Sequence, residues 1–407
     1  MRDLLYLCHR IPYPPDKGDK IRAFHMIEHL RKRFRVHLGC FIDDPADAVH
    51  LPALRSRLAS LACIPLDPGR ARLRALRRCR PGTPLLTGYF HDDRLVDWVC
   101  RTAHDHAIDQ VVAYSVAMAP YAVLLPETPR ILDMVDIDSE KFAAYGRTSS
   151  WPKSLVWARE GRTLLRFERS AVRQFDRTLF VSAAERDHFS ALAPESTAST
   201  IAIGNGVDLD YFTPASSFAR PYPADRKIIL FTGAMDYRPN IEAVIWFVTA
   251  VLGQLRAQNP LFVIVGSNPA PVVRALERGG EVRVTGRVPD TRPYLAHADL
   301  VVAPLMIGRG VQNKVLEAMA MARPVLATPA AFTGITADPG RDLLVAATPV
   351  DWARHAIAVL AGDHPEMGAR ARAAVLRHHS WAQTLAPLDA LLSPGPQSAR
   401  STEQVSL

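Results

Sequence analysis

One segment of the chain, MIGRGVQNKVLEAMAMARPVLAT between Met306 and Thr328, has the residue types of a phosphate site. Two glycines flank Arg309, and the helix formers that follow Gly310 have no Ser, Thr or Asp before them as a cap. An uncapped first turn leaves backbone amides free, and the helix dipole adds to their attraction for anions. Arg309, Gly310 and Val311 are therefore candidate diphosphate contacts.

Two charged residues further along the same helix extend this candidate site. Lys314 and Glu317 lie three residues apart, so they share one helix face. A carboxylate repels phosphate, but it accepts hydrogen bonds from ribose hydroxyl groups, as acidic residues do in dinucleotide sites. The glycine turn, the cations and Glu317 together suit a nucleoside diphosphate. An ordinary surface helix with a Lys–Glu pair is the alternative that this segment alone leaves open.

A second group of polar residues follows the first strand candidate, RDLLYLCHRI, and the turn IPYPPDKGDK. Loops after strands line the ligand crevice of a parallel sheet. Gly18, Asp19, Lys20 and Arg22 are therefore candidate contacts to a substrate. The alternative is a simple turn in which Asp19 caps the next helix.

A pair of aspartates, Asp136 and Asp138, lies in the segment DMVDIDSE after another strand candidate. A D-x-D pair could hold a divalent cation between nucleotide phosphates. We favour Asp138 as the cap of the helix EKFAAYG, where it is also a candidate acceptor-side residue, and Asp136 as a residue at the cleft edge and a catalytic candidate. The five cysteines are odd in number and include no C-x-x-C pair, so we expect reduced core thiols and neither a disulfide framework nor a zinc site built from them.

Strand and helix patterns alternate along both halves of the chain, which specifies parallel sheets covered on both faces. We predict the α/β class, with two doubly wound Rossmann-like domains facing a cleft. The first domain is expected at 1–212, a Pro- and Ser-rich linker at 213–226 and the second domain at 227–392, with the option that its last helix crosses back to the first. The segment 43–100 reads as mostly helical, and the tail 393–407 is expected to be disordered.

Composition describes a globular protein: of 407 residues, 48% are hydrophobic and 22% charged. The sequence has neither an apolar run long enough for a membrane span nor a signal-peptide pattern, so we expect a cytoplasmic protein. The net charge is +8, and six arginines lie between Arg70 and Arg80. Such a run is often plain solvated surface; the functional interpretation that we favour is an anionic bilayer surface. We expect no nucleic-acid partner, because no recognised binding motif accompanies the run.

Several segments resemble one family in the same order. IAIGNGVDLDYFTP resembles the interdomain signature of family-4 retaining glycosyltransferases of the GT-B fold. FTGAMDYRPNIEAVIWF, VRVTGRVPDTRPYLAHADLVVAP and the segment around Glu317 are similar to that family's donor-domain segments. PYPPDKGDKIRAFHMIEHL and LDMVDIDSEKFAAYG are similar to a subgroup of sugar transferases associated with exosortase and PEP-CTERM exopolysaccharide loci.

The resemblance implies a hexosyltransferase that moves a sugar from a nucleoside diphosphate sugar to a saccharide acceptor, with retention and without an essential metal or other cofactor. The acceptor would be lipid-linked and would lie at the inner face of the plasma membrane. The second domain would hold the donor and the first domain the acceptor. Sugar transfer would serve exopolysaccharide biosynthesis.

The resemblance also assigns residues. Glu317 matches the family's second glutamate, which contacts the ribose. The amides from Gly310 onward would hold the diphosphate. Gly286, Arg287 and Val288 would lie along the edge of the nucleotide base. Gly233 and Gly266 would let the backbone approach the donor closely.

The sequence departs from the family pattern at the phosphates. Arg309 stands where many members have a glutamate that contacts the donor sugar, and GAMDYRPN lacks the family's clamping Arg and Lys. We hypothesise that Arg309, Lys314 and Arg238 supply the missing cations. The family's catalytic histidine has no obvious counterpart, and Asp136 lies near that cleft position.

Two other functions remain open on this architecture, because a fold does not fix a function. One is a sugar-nucleotide epimerase or hydrolase, and the other is a non-catalytic nucleotide-sugar binder. An oxidoreductase is disfavoured, since no G-x-G-x-x-G follows the first strand of either half.

Overall fold

The computed structural model describes residues 1–15, 18–277, 279–306 and 311–392, and of Asp19 it describes the backbone. Three of the sequence predictions lie outside the described residues: the phosphate contacts of Arg309 and Gly310, and the disordered tail 393–407. Among the described residues, no helix combines the length and the apolar character that crossing a bilayer requires.

The first sheet has seven parallel strands in the order β3-β2-β1-β4-β5-β6-β7. Its central strands are buried on both faces, as expected for a parallel sheet between two layers of helices. The strands are β1 (Arg2–Cys8), β2 (Phe34–Ile42), β3 (Ser60–Pro65), β4 (Ile108–Tyr114), β5 (Arg130–Val135), β6 (Arg177–Phe180) and β7 (Thr200–Ala202).

The second sheet has six parallel strands in the order β10-β9-β8-β11-β12-β13. The strands are β8 (Lys227–Thr232), β9 (Pro260–Val265), β10 (Val282–Gly286), β11 (Leu300–Ala303), β12 (Val325–Ala327) and β13 (Leu344–Val345). The strand order reverses between β1 and β4 in the first sheet and between β8 and β11 in the second. Ligands of doubly wound folds bind outside the carboxyl ends of the strands at such a reversal. The predicted class, α/β with two doubly wound domains, is confirmed.

The helices of the first sheet's segments are α1 (Gly18–Leu30), α2 (Leu51–Arg55), α3 (Pro68–Arg77), α4 (Leu85–Tyr89), α5 (Asp93–Asp105), α6 (Ala119–Ala122), α7 (Asp138–Thr148), α8 (Lys153–Arg173) and α9 (Ala183–Leu192). Those that follow β8 are α10 (Arg238–Trp246), α11 (Pro271–Arg274), α12 (Arg292–Ala296), α13 (Asn313–Ala320), α14 (Pro329–Phe332), α15 (Pro349–Ala361), α16 (Met367–His378) and α17 (Trp381–Leu391). Helix α10 continues into a π-helical turn at Phe247–Val251 and a 3₁₀ helix at Leu252–Gln258.

Four local expectations differ from the structure. Strand β3 lies in the segment 43–100 that was expected to be mostly helical. It is an edge strand of half-buried residues, so it shows neither an apolar run nor alternation. Asp138 was expected to cap α7, but it is the first residue of that helix, and a cap is the residue before the first one. Asp19 is likewise inside α1, as its second residue. Helix α13 begins at Asn313, two residues later than the pattern indicates.

The last helix and the linker segment pack on different domains. Side chains of α17, including Trp381 and Leu385, join the apolar cluster around α1, and the Trp381 ring stacks on His25 at 4.7 Å. In the segment 213–226, the buried Tyr222 donates its hydroxyl hydrogen to the carbonyl of Tyr294 at 2.9 Å. The chain therefore returns to the first domain at its end, while residues that precede β8 already pack on the second.

Candidate functional site

Two glycines form a close-packed floor at the carboxyl ends of β8 and β9. Gly233 directly follows β8, and its amide donates to the carbonyl of Val265 at 3.0 Å. Gly266 directly follows β9, and a Cβ on it would overlap the carbonyl of Gly233. Only glycine allows the two loops to approach this closely. The floor lies beside the strand reversal of the second sheet, where a ligand is expected.

The beginning of α13 contacts this floor through Lys314. The Nζ atom of Lys314 donates to Oδ1 of Asn240 at 2.6 Å and lies 4.2 Å from the centroid of the Phe231 ring. A Cβ on Gly233 would be only 3.0 Å from the same Nζ. The capping position of α13 is Gln312, whose side chain does not bond the first turn, so the helix presents amides at this end. A cation, bare backbone and a helix N-terminus therefore meet at one place.

Lys314 and Glu317 are both half-buried and each affects the other's ionisation. Burial lowers the pKa of Lys314 to about 7, and the Glu317 carboxylate opposes that shift. Burial raises the pKa of Glu317 to about 7, and Lys314 opposes that shift. A bound diphosphate would favour the charged lysine, and ribose hydroxyl groups would favour the charged carboxylate.

The predicted base edge lies at the next strand. The amide of Gly266 donates to the carbonyl of Gly286 at 3.1 Å, and Gly286 has a φ of 72°, a left-handed conformation that favours glycine. The exposed Arg287 and the half-buried Val288 follow. Strand β10 is two strands from β8, which places this edge about 10 Å from the Gly233 floor.

Arg238 has a different environment from the one hypothesised. It is the first residue of α10, and its Nε atom pairs with Oε1 of Glu242 at 2.6 Å on the exposed surface of that helix. The residue of α10 that contacts Lys314 is Asn240, which the sequence analysis did not select. Its position in the first turn of a helix after a strand-end glycine is the signal that could have identified it.

Val311 lies between the two domains. Its side chain is buried, and its Cγ2 atom would lie 3.1 Å from a Cβ on Gly334 and 3.8 Å from one on Gly204. The structure therefore places the side chain of Val311 in packing contacts, which leaves its backbone as the part available to a phosphate.

Among the predicted acceptor contacts, Lys20 and Arg22 require a correction. Both side chains are buried: Lys20 pairs with Asp47 at 2.7 Å, and Arg22 forms two bonds to Asp133, at 2.8 and 3.1 Å. A buried guanidinium with a paired carboxylate positions elements and does not face a substrate. Gly18, in contrast, is exposed, with open space where a Cβ would be.

Arg22 also ties the first domain to the start of α13. Its Nη1 atom donates to the carbonyls of Ile203 and Gly204 and to Oδ1 of Asn205, at 2.8 to 3.1 Å. The amide group of Asn205 donates in turn to Oδ1 of Asn313, the first residue of α13, at 3.3 Å. A continuous set of bonds thus runs from a strand of the first sheet to the candidate nucleotide site.

The carboxyl edge of the first sheet holds residues that the sequence analysis missed. His9 follows β1, and its ring stacks on Tyr114 at 5.8 Å with an interplanar angle of 2°. Ser115 follows β4 with a φ of 76°. Both lie at the strand reversal of this sheet. Their position one residue after a strand was the available signal.

Asp136 and Asp138 lie at the neighbouring strand end, next to a strained residue. Val135, the last residue of β5, has a φ of 66°, which is costly for a β-branched residue and is typical of functional sites. Asp136 follows it and is half-buried. Burial and the carboxylate of Asp136 raise the pKa of Asp138 to about 6, with Lys141 opposing the shift. Asp136 thus lies at the same sheet edge as His9 and Ser115.

Comparisons with known proteins identify the domain and the fold. Residues 226–362 match the family model for group 1 glycosyl transferases. Among curated proteins, none matches the chain.

Solved structures with similar folds cover nearly the whole chain. Sucrose-phosphate synthase from Thermosynechococcus elongatus aligns with a TM-score of 0.68 and 18% identity over 96% of this chain and 98% of its own. HepE from Anabaena, in complex with UDP and glucose, aligns with a TM-score of 0.66 and 16% identity over 96% and 99%. WaaG, a glycosyltransferase involved in lipopolysaccharide biosynthesis, aligns with a TM-score of 0.64 and 15% identity over 95% and 99%. The second domain is therefore a group 1 glycosyl transferase domain, and the chain has the two-domain GT-B fold of a glycosyltransferase.

Proposed function

We propose that this protein is a retaining glycosyltransferase that moves a hexosyl group from a nucleoside diphosphate sugar to a lipid-linked saccharide in exopolysaccharide biosynthesis. The observation that carries the proposal is the position of Lys314 on α13 beside the bare backbone of Gly233, with Glu317 one helical turn further along the same helix. This arrangement offers a cation and amides to a diphosphate and a carboxylate to a ribose.

In the proposed reaction, the bond between the anomeric carbon and the diphosphate oxygen breaks, and negative charge grows on the departing nucleoside diphosphate. Lys314 and the amide end of α13 stabilise that charge because they are fixed in place before the reaction. The acceptor hydroxyl oxygen forms the new bond to the anomeric carbon from the side of the first sheet, where His9, Ser115 and Asp136 line the carboxyl edge, and its proton passes to the departing diphosphate oxygen. No step of this proposal requires a metal ion.

The first donor to test is UDP-glucose, because HepE, a protein of the same fold, is described in complex with it. Calorimetric titration with UDP should show binding that Glu317→Gln weakens about 10- to 100-fold, the effect of losing hydrogen bonds to a charged group. Glu242→Gln is the matched control, since Glu242 is an exposed glutamate paired with Arg238 on α10. Equal UDP affinity in the Glu317 variant and the wild type would contradict the assignment.

A transfer assay separates the proposal from the alternative functions. Labelled nucleotide sugars are incubated with an undecaprenyl-diphosphate-linked saccharide, and the products are resolved by chromatography. Label on the lipid supports transfer, and the anomeric configuration of the product tests retention. Epimerised or hydrolysed donor would support the other enzyme class, and binding without turnover would support a nucleotide-sugar binder.

The proposed membrane contact is a surface formed by α3 and the beginning of α8. In the run from Arg70 to Arg80, Arg74 is half-buried and bonds the carbonyls of Gly88 and Tyr89, while the other five arginines are exposed. Arg159 of α8 donates to carbonyls of residues 80 and 83, so α8 lies beside the loop that follows α3.

Exposed apolar side chains accompany these arginines on both helices: Leu73 and Leu76 on α3, and Trp151, Leu155 and Val156 at the start of α8. Trp151 is 78% exposed and Leu155 is 63% exposed. Arginines with an aromatic and leucines suit the interface of an anionic bilayer, where a lipid-linked acceptor resides.

Liposome flotation tests this contact. Binding to vesicles with anionic lipid should exceed binding to neutral vesicles and should fall as salt is added. The triple variant Arg70→Gln, Arg72→Gln, Arg77→Gln should lose most of it. The matched control replaces Arg341, Arg354 and Arg370, three exposed arginines of the second domain, and should bind normally. Equal loss in both triple variants would count against a defined surface.

A further inference from the structure

A cluster of two histidines and a carboxylate lies at the amino edge of the first sheet, at the opposite edge from the candidate site. Nε2 of His37 and Oδ1 of Asp3 are 2.9 Å apart, and the rings of His37 and His106 are 4.5 Å apart. One ligand atom from each of the three residues lies within 4.8 Å of the other two. Asp3 and His37 are buried, and His106 is half-buried.

We propose that Asp3, His37 and His106 form a binding site for one Zn²⁺ ion. Two imidazoles and one carboxylate are a donor set that zinc takes in proteins, with the fourth position left to water. Bonds of about 2.1 Å in a tetrahedron place the ligand atoms about 3.4 Å apart. The cluster therefore needs small side-chain rotations to enclose the ion, and half-buried His106 leaves an approach from solvent.

Neighbouring residues orient the ligands as metal sites require. Oγ of Ser60 lies 2.8 Å from Nδ1 of His37, so the hydroxyl can hold that ring with its Nε2 atom toward Asp3. Arg35 bonds Oδ2 of Asp3 at 2.5 Å, which leaves Oδ1 for the metal. Outer partners of this type fix the tautomer and the orientation of metal-binding side chains.

The position of the cluster indicates its role. Asp3 and His37 are on adjacent strands, β1 and β2, and His106 lies between α5 and β4. An ion bound there would join three segments of the first domain that are distant in sequence. It would stabilise that domain without contacting the donor, so this site is compatible with a transfer reaction that uses no metal.

Zinc titration of the full chain tests the proposal. After treatment with a chelator, the protein is titrated with Zn²⁺ by calorimetry, and Co²⁺ is added separately to record its visible absorption. We expect one Zn²⁺ per chain, a higher melting temperature and a tetrahedral Co²⁺ spectrum. His106→Gln should lower the zinc affinity at least about tenfold, and Ser60→Ala should lower it about 10- to 100-fold.

Two controls make the result decisive. His104→Gln changes an exposed histidine two residues from His106 and should bind zinc as the wild type does. Cys63→Ser removes a thiol that is paired in register with Cys40, another possible soft ligand, and should also leave the affinity unchanged. Because His106 is half-buried, its substitution could disturb the fold. Circular dichroism of the metal-free variant checks that it is folded. Three results would overturn the proposal: no stoichiometric zinc binding by the wild type, zinc binding that is unchanged in His106→Gln, or zinc binding that is lost in Cys63→Ser.

Discussion

The carboxyl edges of the two sheets are built in different ways. In the second sheet, Gly233, Gly266 and Gly286 stand at three adjacent strand ends, so backbone is exposed where a ligand would lie. In the first sheet, His9 follows β1, the counterpart of β8, and Ser115 follows β4, the counterpart of β11. A nucleoside diphosphate presents the same phosphates and ribose in every donor, and backbone amides suffice to bind them. Under the proposed function, the first edge would face the acceptor, and side chains would distinguish one acceptor from another.

The charged residues near the two edges also differ in how deeply they are buried. Near the first edge, Arg22 and Asp133 form a fully buried pair that is inaccessible to a ligand. Near the second, Lys314 and Glu317 are half-buried with shifted pKa values that a ligand can alter. One pair therefore maintains structure and the other responds to binding.

The largest expected effect is from removal of the buried arginine. Arg22→Ala leaves the Asp133 carboxylate charged and unpaired inside the protein, and should lower the free energy of unfolding by about 3–5 kcal/mol. Arg238→Ala, which breaks an exposed pair on α10, should cost less than about 0.5 kcal/mol. Urea denaturation measures both. Similar losses in the two variants would show that burial is not what distinguishes the pairs.

A smaller effect is expected from a methyl group on the glycine floor. Gly266→Ala would force its Cβ against the Gly233 carbonyl, so it should destabilise the protein by about 1–3 kcal/mol and weaken UDP binding. Gly253→Ala is the control, because no atom lies within 4 Å of its added Cβ. Unfolding and UDP titration of both variants make the comparison. Unchanged UDP affinity in the Gly266→Ala variant would show that the glycine floor is not part of the UDP-binding site.

The pH dependence of donor binding tests the responsive pair. UDP-glucose should raise the pKa of Lys314 above its free value of about 7, so binding takes up a proton and affinity falls as pH rises above 7. The ribose should lower the pKa of Glu317 from about 7, so affinity also falls as pH drops below 7. Calorimetry should give a maximum near pH 7, with a loss approaching tenfold per pH unit, about 1.4 kcal/mol, on each side.

Single substitutions should remove one side of this profile each. Lys314→Arg keeps its charge and should flatten the alkaline side, whereas Glu317→Gln should flatten the acid side. Glu242→Gln should retain both. A flat wild-type profile between pH 5 and 9 would show that the pair does not respond to the donor.

The smallest expected effect concerns the strain at the first edge. Val135→Gly removes a φ of 66° from a β-branched residue, and should change the free energy of unfolding by less than about 1 kcal/mol, because relief of strain offsets lost packing. The comparison variant is Val181→Gly, at the next strand end, where the valine is buried and has no positive φ. This substitution should lower the free energy of unfolding by about 2 kcal/mol or more. Transfer activity should fall in the Val135 variant. Full transfer activity in the Val135→Gly variant would show that the strained backbone at this position is not needed for function.

The sequence predicted those parts of the molecule that depend on local patterns. Alternating strand and helix patterns predicted both sheets, whereas the roles expected of Gly233 and Gly266 came from the family resemblance. The strong helix formers around Lys314 and Glu317 located α13 to within two residues. These features depend on neighbours within a few positions, which periodicity and turn chemistry register.

Features that depend on distant partners could not be predicted in this way. Arg22 is buried because Asp133, 111 residues away, lies beside it, and nothing local to α1 indicates that pairing. Strand β3 is held at the sheet edge by β2 and lacks a pattern of its own. The histidines of the proposed zinc site come from separate segments, without the spacing of a known motif.

The bond between Asn205 and Asn313 has a mechanical consequence. On one side, Asn205 is held by an arginine anchored to a carboxylate in the interior of the first domain. On the other, Asn313 opens the helix that bears Lys314. Any rotation of one domain against the other must therefore break this amide contact or turn the start of that helix with it. The position of Lys314 therefore depends on the Arg22–Asp133 ion pair in the first domain.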